Sequence, residues 1–411
     1  MKKFIRKPEL RFKSFEFTNK TYNLKDVTNE LIDCEHKTAP YVECSEYLVV
    51  RTSNIKNGVL SYEDIKYTTY DGYLEWTRRG KPVWGDILFT REAPAGESCI
   101  VPKEKLVCLG QRMVLIRPNI EKGNSLFLSY YLQSNSAIKN IAMLTIGSTV
   151  KRINISDILK ITFNLPSLPE QQKIADFLST VDKKIDLLTR RHELLQQYKK
   201  GILQKLFPAK GERLPELRFK QEGGSEFPDW EEKRLGEITT NFSNRNSKLI
   251  DAPIYSVTNN NGFIPQSEQF EDRVMAGSDL KGYKIVTSKD FAYNPARINV
   301  GSIAQFHGEI CLISSLYVCF KLINEIDHTF FSNFLLLDST KHYINVYGEG
   351  GVRIYLWYPL FSKIKINLPS HSEQRRIAGF LTALDSRTKT ISNQIEHLQT
   401  WKKGLLQKMF V

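Results

Sequence analysis

At 411 residues, 41% of them apolar and 11% aromatic, the chain can build more than one packed core and is not a disordered polymer. Its 58 lysines and arginines outnumber 45 aspartates and glutamates, and the formal net charge of +13 favours a polyanionic partner such as nucleic acid. No run of about 18 apolar residues offers a membrane span, and the basic start Met1–Lys7 lacks the apolar stretch of a secretory signal. The six cysteines (Cys34, Cys44, Cys99, Cys108, Cys311, Cys319) include no Cys-x-x-Cys pair, which fits buried thiols in a reducing cytoplasm.

Residues 1–20 form an N-terminal segment containing Pro8-Glu9-Leu10-Arg11-Phe12-Lys13. From 21 to 166, short β-rich runs are punctuated by Gly, Asn and Pro, with strand candidates Tyr47–Arg51, Asp86–Phe89, Met113–Ile116 and Ile158–Phe163. Residues 167–207 change character. Ile174, Leu178, Val181, Ile185, Leu188, Leu195, Ile202 and Leu206 fall on the three-and-four spacing of a heptad seam. Ser167, three residues before Glu170, predicts a capping box: the serine hydroxyl accepts a backbone N–H and the glutamate reaches back. Pro169 is tolerated in the first turn, and Pro208 marks the end.

After a linker, 208–230, which carries Pro215-Glu216-Leu217-Arg218-Phe219-Lys220, the plan repeats. Region 231–369 offers strands at Pro253–Val257, Asp290–Tyr293, Leu316–Leu322 and Lys363–Ile366. Segment 370–411 is a second helix with a seam of Ile377, Leu381, Leu384, Ile391, Ile395, Leu398, Leu405 and Met409, and a capping box at Ser370 and Glu373. Roughly half of the positions in the two helical segments are identical at a shift of 203. In the globular regions Asn57-Gly58 matches Asn261-Gly262, Asp86 matches Asp290 and Arg117 matches Lys321 at a shift of 204, while Gly147 matches Gly350 at 203. The molecule is therefore two copies of one plan.

A helix of about 38 residues is roughly 57 Å long, and its apolar stripe would be wet unless two such stripes bury each other. The expected fold is α+β: two similar mixed domains joined by two long antiparallel coiled-coil helices. Gly201 and Gly404 predict a bend or a close helix contact near the ends. Because each helix is followed by the Pro-Glu-Leu-Arg-Phe-Lys element if the chain is read as a circle, the repeat is expected to be circular and pseudo-twofold.

Two globular regions, each followed by Leu-Pro-x-x-x-Glu-Gln-x-x-Ile-Ala-x-Phe-Leu, resemble the specificity subunit of type I restriction–modification systems, over essentially the whole chain. Gly85-Asp86-Ile87-Leu88-Phe89-Thr90-Arg91-Glu92, Gln111-Arg112-Met113-Val114 and Tyr293-Asn294-Pro295-x-Arg297-Ile298-Asn299-Val300-Gly301-Ser302 resemble segments of that family's target-recognition domains. Lys289-Asp290-Phe291-Ala292 departs from the Gly-Asp-Ile-Leu form and implies a different subtype in the second half. The resemblance implies a bacterial, cytoplasmic, non-catalytic subunit. Each domain would read one half of an asymmetric, bipartite site in double-stranded DNA. The helices would space the domains and dock two methyltransferase subunits, with restriction (translocase–nuclease) subunits joining the full complex. S-adenosylmethionine, magnesium and ATP are expected only on those partners. Two readers on one face of B-DNA sit best about 34–36 Å apart, a span that a rigid helix pair can hold.

Arginine and asparagine can each make two bonds to a base edge, while lysine mostly holds phosphate. The candidates in the first region are Arg51, Arg78, Arg79, Lys81, Arg91, Arg112, Lys151 and Arg152, with Tyr70, Tyr73, Trp76 and Trp84 around the Arg78–Lys81 loop. Those in the second are Arg245, Asn259, Asn260, Arg273, Arg297, Asn299 and Arg353. An internal ion pair competes for Arg112, and Asn57-Gly58 and Asn261-Gly262 read as tight turns.

No Gly-x-x-x-x-Gly-Lys-Ser/Thr loop is present, Tyr293-Asn294-Pro295-Ala296 lacks the remainder of an amino-methyltransferase motif, and the seven histidines show no pair at metal-ligand spacing. Three other readings use the same residues: a nuclease with a degenerate site, a coiled-coil scaffold that binds DNA without sequence preference, and the DNA-reading subunit of another bipartite-site methyltransferase–nuclease.

Overall fold

The structure, a computed structural model, describes residues 7–16, 20–269, 280–350 and 354–410. It divides into two compact units, Met1–Arg190 with Ser392–Val411, and Arg191–Ile391. The division falls within both long helices, Leu168–Leu206 and His371–Met409, each of 39 residues. Among the described residues no helix is long and apolar enough to cross a membrane.

In the first unit a four-stranded antiparallel sheet runs in the order Thr28–Asp33, Met113–Pro118, Ile87–Thr90, Ser98–Ile100. Met113, Val114, Leu115 and Ile116 are all fully buried, because both faces of this sheet are covered. Successive side chains alternate. Val114, Ile116, Ile87 and Phe89 enter a core with the helices Ser125–Leu132 and Asn135–Leu144 and with the long helices. Met113, Leu115 and Leu88 enter a second core, shared with Leu48, Val50, Val107 and Leu109 of the sheet Leu106–Leu109, Tyr47–Val50, Lys66–Thr68, Tyr41–Val42.

The second unit repeats the arrangement. The sheet Thr239–Phe242, Val318–Leu322, Phe291–Tyr293, Ile303–Gln305 sends Val318, Phe320, Phe291 and Tyr293 to one core and Ala292 and Cys319 to the other. A matched ion pair on a buried aspartate recurs in the two sheets. The Arg117 guanidinium bonds Asp86 at 2.9 and 3.0 Å, and the Lys321 ammonium lies 3.6 Å from Asp290. Each aspartate also accepts a main-chain N–H, from Val83 and from Thr287.

Two predicted strands shift. Ile158 ends a short helix, Ile155–Ile158, and the strand is Thr162–Leu165; the second copy's strand is Lys365–Leu368, after the short helix Tyr358–Phe361. Each of these strands pairs with the strand that opens its region, Lys20–Asn23 or Glu231–Arg234, and hands the chain to a long helix.

The helix openings depart from the capping box. Ser370 does accept the Glu373 N–H at 3.4 Å, but at Ser167 it is the main-chain carbonyl that accepts, from Gln171. The two glutamates turn elsewhere. Glu170 is buried and takes two bonds from Arg11, at 2.7 and 2.6 Å; Glu373 is buried and takes two from Arg218 and one from the Trp230 indole. The adjacent glutamines bridge to the globular regions. Gln171 accepts the Asn124 N–H and Gln374 the Asp327 N–H, both at 2.8 Å, where Asn124 and Asp327 are N-caps of Ser125–Leu132 and His328–Leu335.

Within the first unit, Glu170 and Ile174 lie by Met409 and Phe410, and Asp182 meets Lys402 at 2.7 Å, so the two helix segments run antiparallel. Within the second, Lys199 meets Asp385 at 2.5 Å while Leu203 and Leu206 share a core with Ile377 and Leu381, again antiparallel. Of the seam residues, Ile174, Leu178, Val181, Leu188, Leu206, Ile377, Leu381, Leu384, Ile391, Leu405 and Met409 are buried, and Ile185, Leu195, Ile202, Ile395 and Leu398 are half-buried. Gly201 and Gly404 mark no close contact: both helices run on through them, and among the described residues a Cβ at either position would meet nothing within 4 Å.

Candidate nucleic-acid interface

Sheet register explains why distant residues converge in the first unit. Asp33 lies opposite Val114, and Thr90 opposite Met113. The end of one strand, the start of the next and the end of a third therefore share one edge, from which the loop Asp33–His36, the turn Gly110–Arg112 and the loop starting at Arg91 emerge.

Five candidate arginines gather there. Arg91 reaches Asp33 at 3.3 Å and the Ile153 carbonyl at 3.5 Å. Arg78 and Arg79 meet Glu35 at 3.1 and 3.2 Å, and Arg79 also donates to the Cys34 carbonyl at 3.0 Å. The Arg112 Nε lies 3.5 Å from Glu92, and Glu92 pairs through its backbone with Arg152. Gln111 donates to the His36 carbonyl at 3.3 Å. Three non-glycine residues here adopt left-handed backbones, His36 (φ 57°), Ala93 (φ 53°) and Arg112 (φ 67°). Such strain, of order 1–3 kcal/mol per residue, concentrates at functional sites.

Lys151 is exposed next to Arg152. Arg51 is spent on Asp64, bonding its carboxylate at 2.9 Å and its carbonyl; Lys66 and Arg51 together hold the Asp64 carboxyl below the usual carboxylate range. Lys81 lies 5.8 Å over the Tyr73 ring. Of the aromatics around that loop, Tyr73 and Trp76 are core, while Tyr70 and Trp84 are exposed.

The edge also assembles possible metal ligands that the linear spacing of histidines did not suggest. Atoms of Asp33, Cys34 and His36 lie within 4.8 Å of one another. Asp33 is already engaged by the His36 ring at 2.6 Å and by Arg91, and the surrounding guanidinium groups oppose a further cation.

In the second unit Phe242 lies opposite Cys319 and Tyr293 opposite Val318, so the loops 243–253 and 294–302 and the turn Ser314–Tyr317 share the corresponding edge. Gly301 (φ 101°) packs its loop on the hairpin tip: a Cβ there would lie 3.0 Å from the Asn259 carbonyl oxygen. This sets the turn that carries Asn259 and Asn260 beside the loop that carries Arg297 and Asn299. Arg297, Asn259 and Asn260 are exposed and Asn299 half-buried. Arg245 is exposed and bridges Lys284. Arg273 and Arg353 lie outside the described residues. Sequence reasoning missed the acids that organise the first edge, Asp33, Glu35 and Glu92. No local signal marks them, because the sheet alone makes them neighbours of the arginines.

The family model described as "Type I restriction modification DNA specificity domain" matches the chain twice, over residues 18–197 and 228–399. A Methanocaldococcus jannaschii protein bearing the name type I restriction enzyme MjaX specificity subunit is 27% identical over 377 residues, 88% of this chain and 85% of that one. The MjaVIII specificity subunit of the same organism is 24% identical over 315 residues, 72% of each chain. Among solved structures, the crystal structure of a type I restriction–modification S subunit from M. genitalium covers 99% of both chains with a TM-score of 0.57 at 18% identity. A second, from work on complex assembly and conformational transition of the type I system, covers 95% of this chain and 97% of that one with a TM-score of 0.55 at 16% identity. At such identities the structures speak for the fold.

Proposed function

We infer the function from membership: the chain belongs to the type I restriction–modification DNA specificity family, whose domain it carries twice. It is the DNA-reading subunit of such a complex. Each recognition domain contacts one half of an asymmetric split duplex site, and the long helices space the two readers and dock two methyltransferase subunits. The observation that carries this reading is the repeated loop edge. In each domain, basic and amide side chains from segments far apart in sequence emerge together at one sheet edge, over a rigid core whose Asp86–Arg117 and Asp290–Lys321 pairs match. The side chains on the two edges differ, as two readers of different half-sites require.

The chain itself is assigned no catalysis. Methylation and cleavage belong to the methyltransferase and restriction subunits, with S-adenosylmethionine, magnesium and ATP bound there, and the complex works on DNA in the cytoplasm. Selection from random-sequence duplexes by the chain co-produced with its methyltransferase subunits tests the reading. A split, asymmetric motif is expected. It should be accompanied by an affinity gap between cognate and random DNA that persists as salt is raised. Binding that collapses with salt equally on both DNAs, with no motif, would favour the non-specific scaffold.

A further inference from the structure

We propose that Arg112 is a base-reading residue of the first domain and selects guanine, with Glu92 as the positioning residue that sets its guanidinium. The proposal rests on the DNA-reading function above and names one residue that performs it.

The first observation is which arginines have donors to spare. Arg51, Arg78, Arg79, Arg91 and Arg117 each give terminal nitrogens to carboxylates or carbonyls at their own positions. The Arg112 Nε lies 3.5 Å from Glu92, and its side chain is 54% exposed. Among the described residues its terminal nitrogens make no hydrogen bond; the same holds for exposed Arg152, but that side chain has no carboxylate beside it to set its guanidinium. Guanine offers O6 and N7 side by side in the major groove, and a planar guanidinium matches them with two parallel donors. A carboxylate beside Nε restrains the guanidinium and leaves Nη donors for a base edge.

The second observation is that the turn is locked. Arg112 has φ 67°, a conformation that costs a side-chain-bearing residue energy. It cannot relax easily in either direction along the chain. On one side Gly110 sits so close to the neighbouring strand Tyr47–Val50 that a Cβ would lie 2.8 Å from the Val50 carbonyl oxygen; on the other Met113 is fully buried. Glu92 is followed by Ala93, also left-handed at φ 53°. Arginine and carboxylate thus both stand on constrained backbone, which spares DNA binding the cost of ordering them.

The third observation is the contrast between domains. The corresponding turn of the second unit, Ser314–Tyr317, carries Leu316, 67% exposed, and no arginine. The ion pairs beneath the two sheets match while this turn changes from a guanidinium to an isobutyl group. Such a change is expected where two domains of one design select different bases.

The test uses the chain co-produced with its methyltransferase subunits, selection from random duplexes, and the variants R112A, R112K and E92Q. Wild type is expected to return a split motif. In R112A and R112K the preference for guanine at one position of one half falls by roughly tenfold or more, and the other half is unchanged. E92Q weakens the same preference without lowering the melting temperature, which a merely structural role would not do. If R112A does not assemble, R112K decides, since a lysine keeps the charge and loses the fork. An unchanged motif in R112K, or a uniform loss of affinity on cognate and random DNA with the motif intact, would overturn the proposal. Absence of any motif for wild type would instead overturn the DNA-reading function on which it rests.

Discussion

The main-chain N–H of Leu10 donates to the carbonyl of Lys408 at 3.0 Å, and 207 residues later Leu217 does the same to Lys205 at 2.9 Å. In both units the Pro-Glu-Leu-Arg-Phe-Lys element closes on the last turn of a long helix, in one case as the chain's continuation and in the other from its opposite end. The aromatic contacts repeat too: Phe410 lies 5.2 Å from Phe127, and Phe207 lies 4.9 Å from Phe330. Phe410 therefore belongs to the first core although it is the penultimate residue. Phe410→Ala should destabilise the first unit by about 3–5 kcal/mol, the usual range for a buried phenylalanine. Thermal unfolding would check this; a loss below about 1 kcal/mol would mean that the C-terminal turn is not part of that core.

Arg11 and Glu170 form a part-buried pair in which the carboxylate is almost completely enclosed. Arg11→Ala leaves that charge without its main partner and should cost about 3 kcal/mol. Glu170→Gln in the same background removes the stranded charge, so the double variant should be more stable than Arg11→Ala alone. A double-mutant cycle from denaturant melts reads the difference; additive losses would contradict the pairing.

The matched pairs under the two sheets should not be equal in strength. Arg117 makes two close bonds to Asp86 and a third to the Lys81 carbonyl, whereas Lys321 stands 3.6 Å from Asp290 and is half exposed. Arg117→Ala is expected to cost about 3 kcal/mol and Lys321→Ala about 1 kcal/mol. Equal losses would show that the two domains do not share this support in the same way.

Four thiols are held protonated by burial. Desolvation pushes Cys99, Cys108, Cys311 and Cys319 up to about 12. Cys34 is also buried, and Cys44 alone is exposed. At pH 8 a thiol reagent should titrate one group in the native protein and six after unfolding. These raised values also set a sign. The unfolded thiols lose their protons from about pH 8.5 while the folded ones keep theirs, so the stabilisation is intact below that pH and declines as pH climbs towards 12. Fast reaction of several native thiols would contradict the packing.

Much of this fold was legible because its signals are local. The heptad spacing from Ile174 to Leu206, the duplicated helix openings and the match of Asp86 with Asp290 lie on the surface of the sequence. What stayed hidden depends on pairings across the chain. Glu170 looks like a capping-box residue until Arg11, 159 positions earlier, is folded against it. Ile158, Ile161 and Phe163 are all buried, and a short apolar run of that kind suits a helix end or a strand equally well. The arginine edge was legible only as composition: Arg78, Arg91 and Arg112 could be named, but the acids that hold them, and the freedom of Arg112, follow from the register of three strands.

If the two domains read DNA independently, exchanging one of them changes one half of the site alone. The most direct measurement replaces residues 21–166 with the same region of another family member, co-produces the hybrid with its methyltransferase subunits, and maps the methylated motif across a genome. The expected result is a split motif in which one half changes and the other half is retained. A motif that changes in both halves, or a stable complex that methylates without any motif, would contradict it.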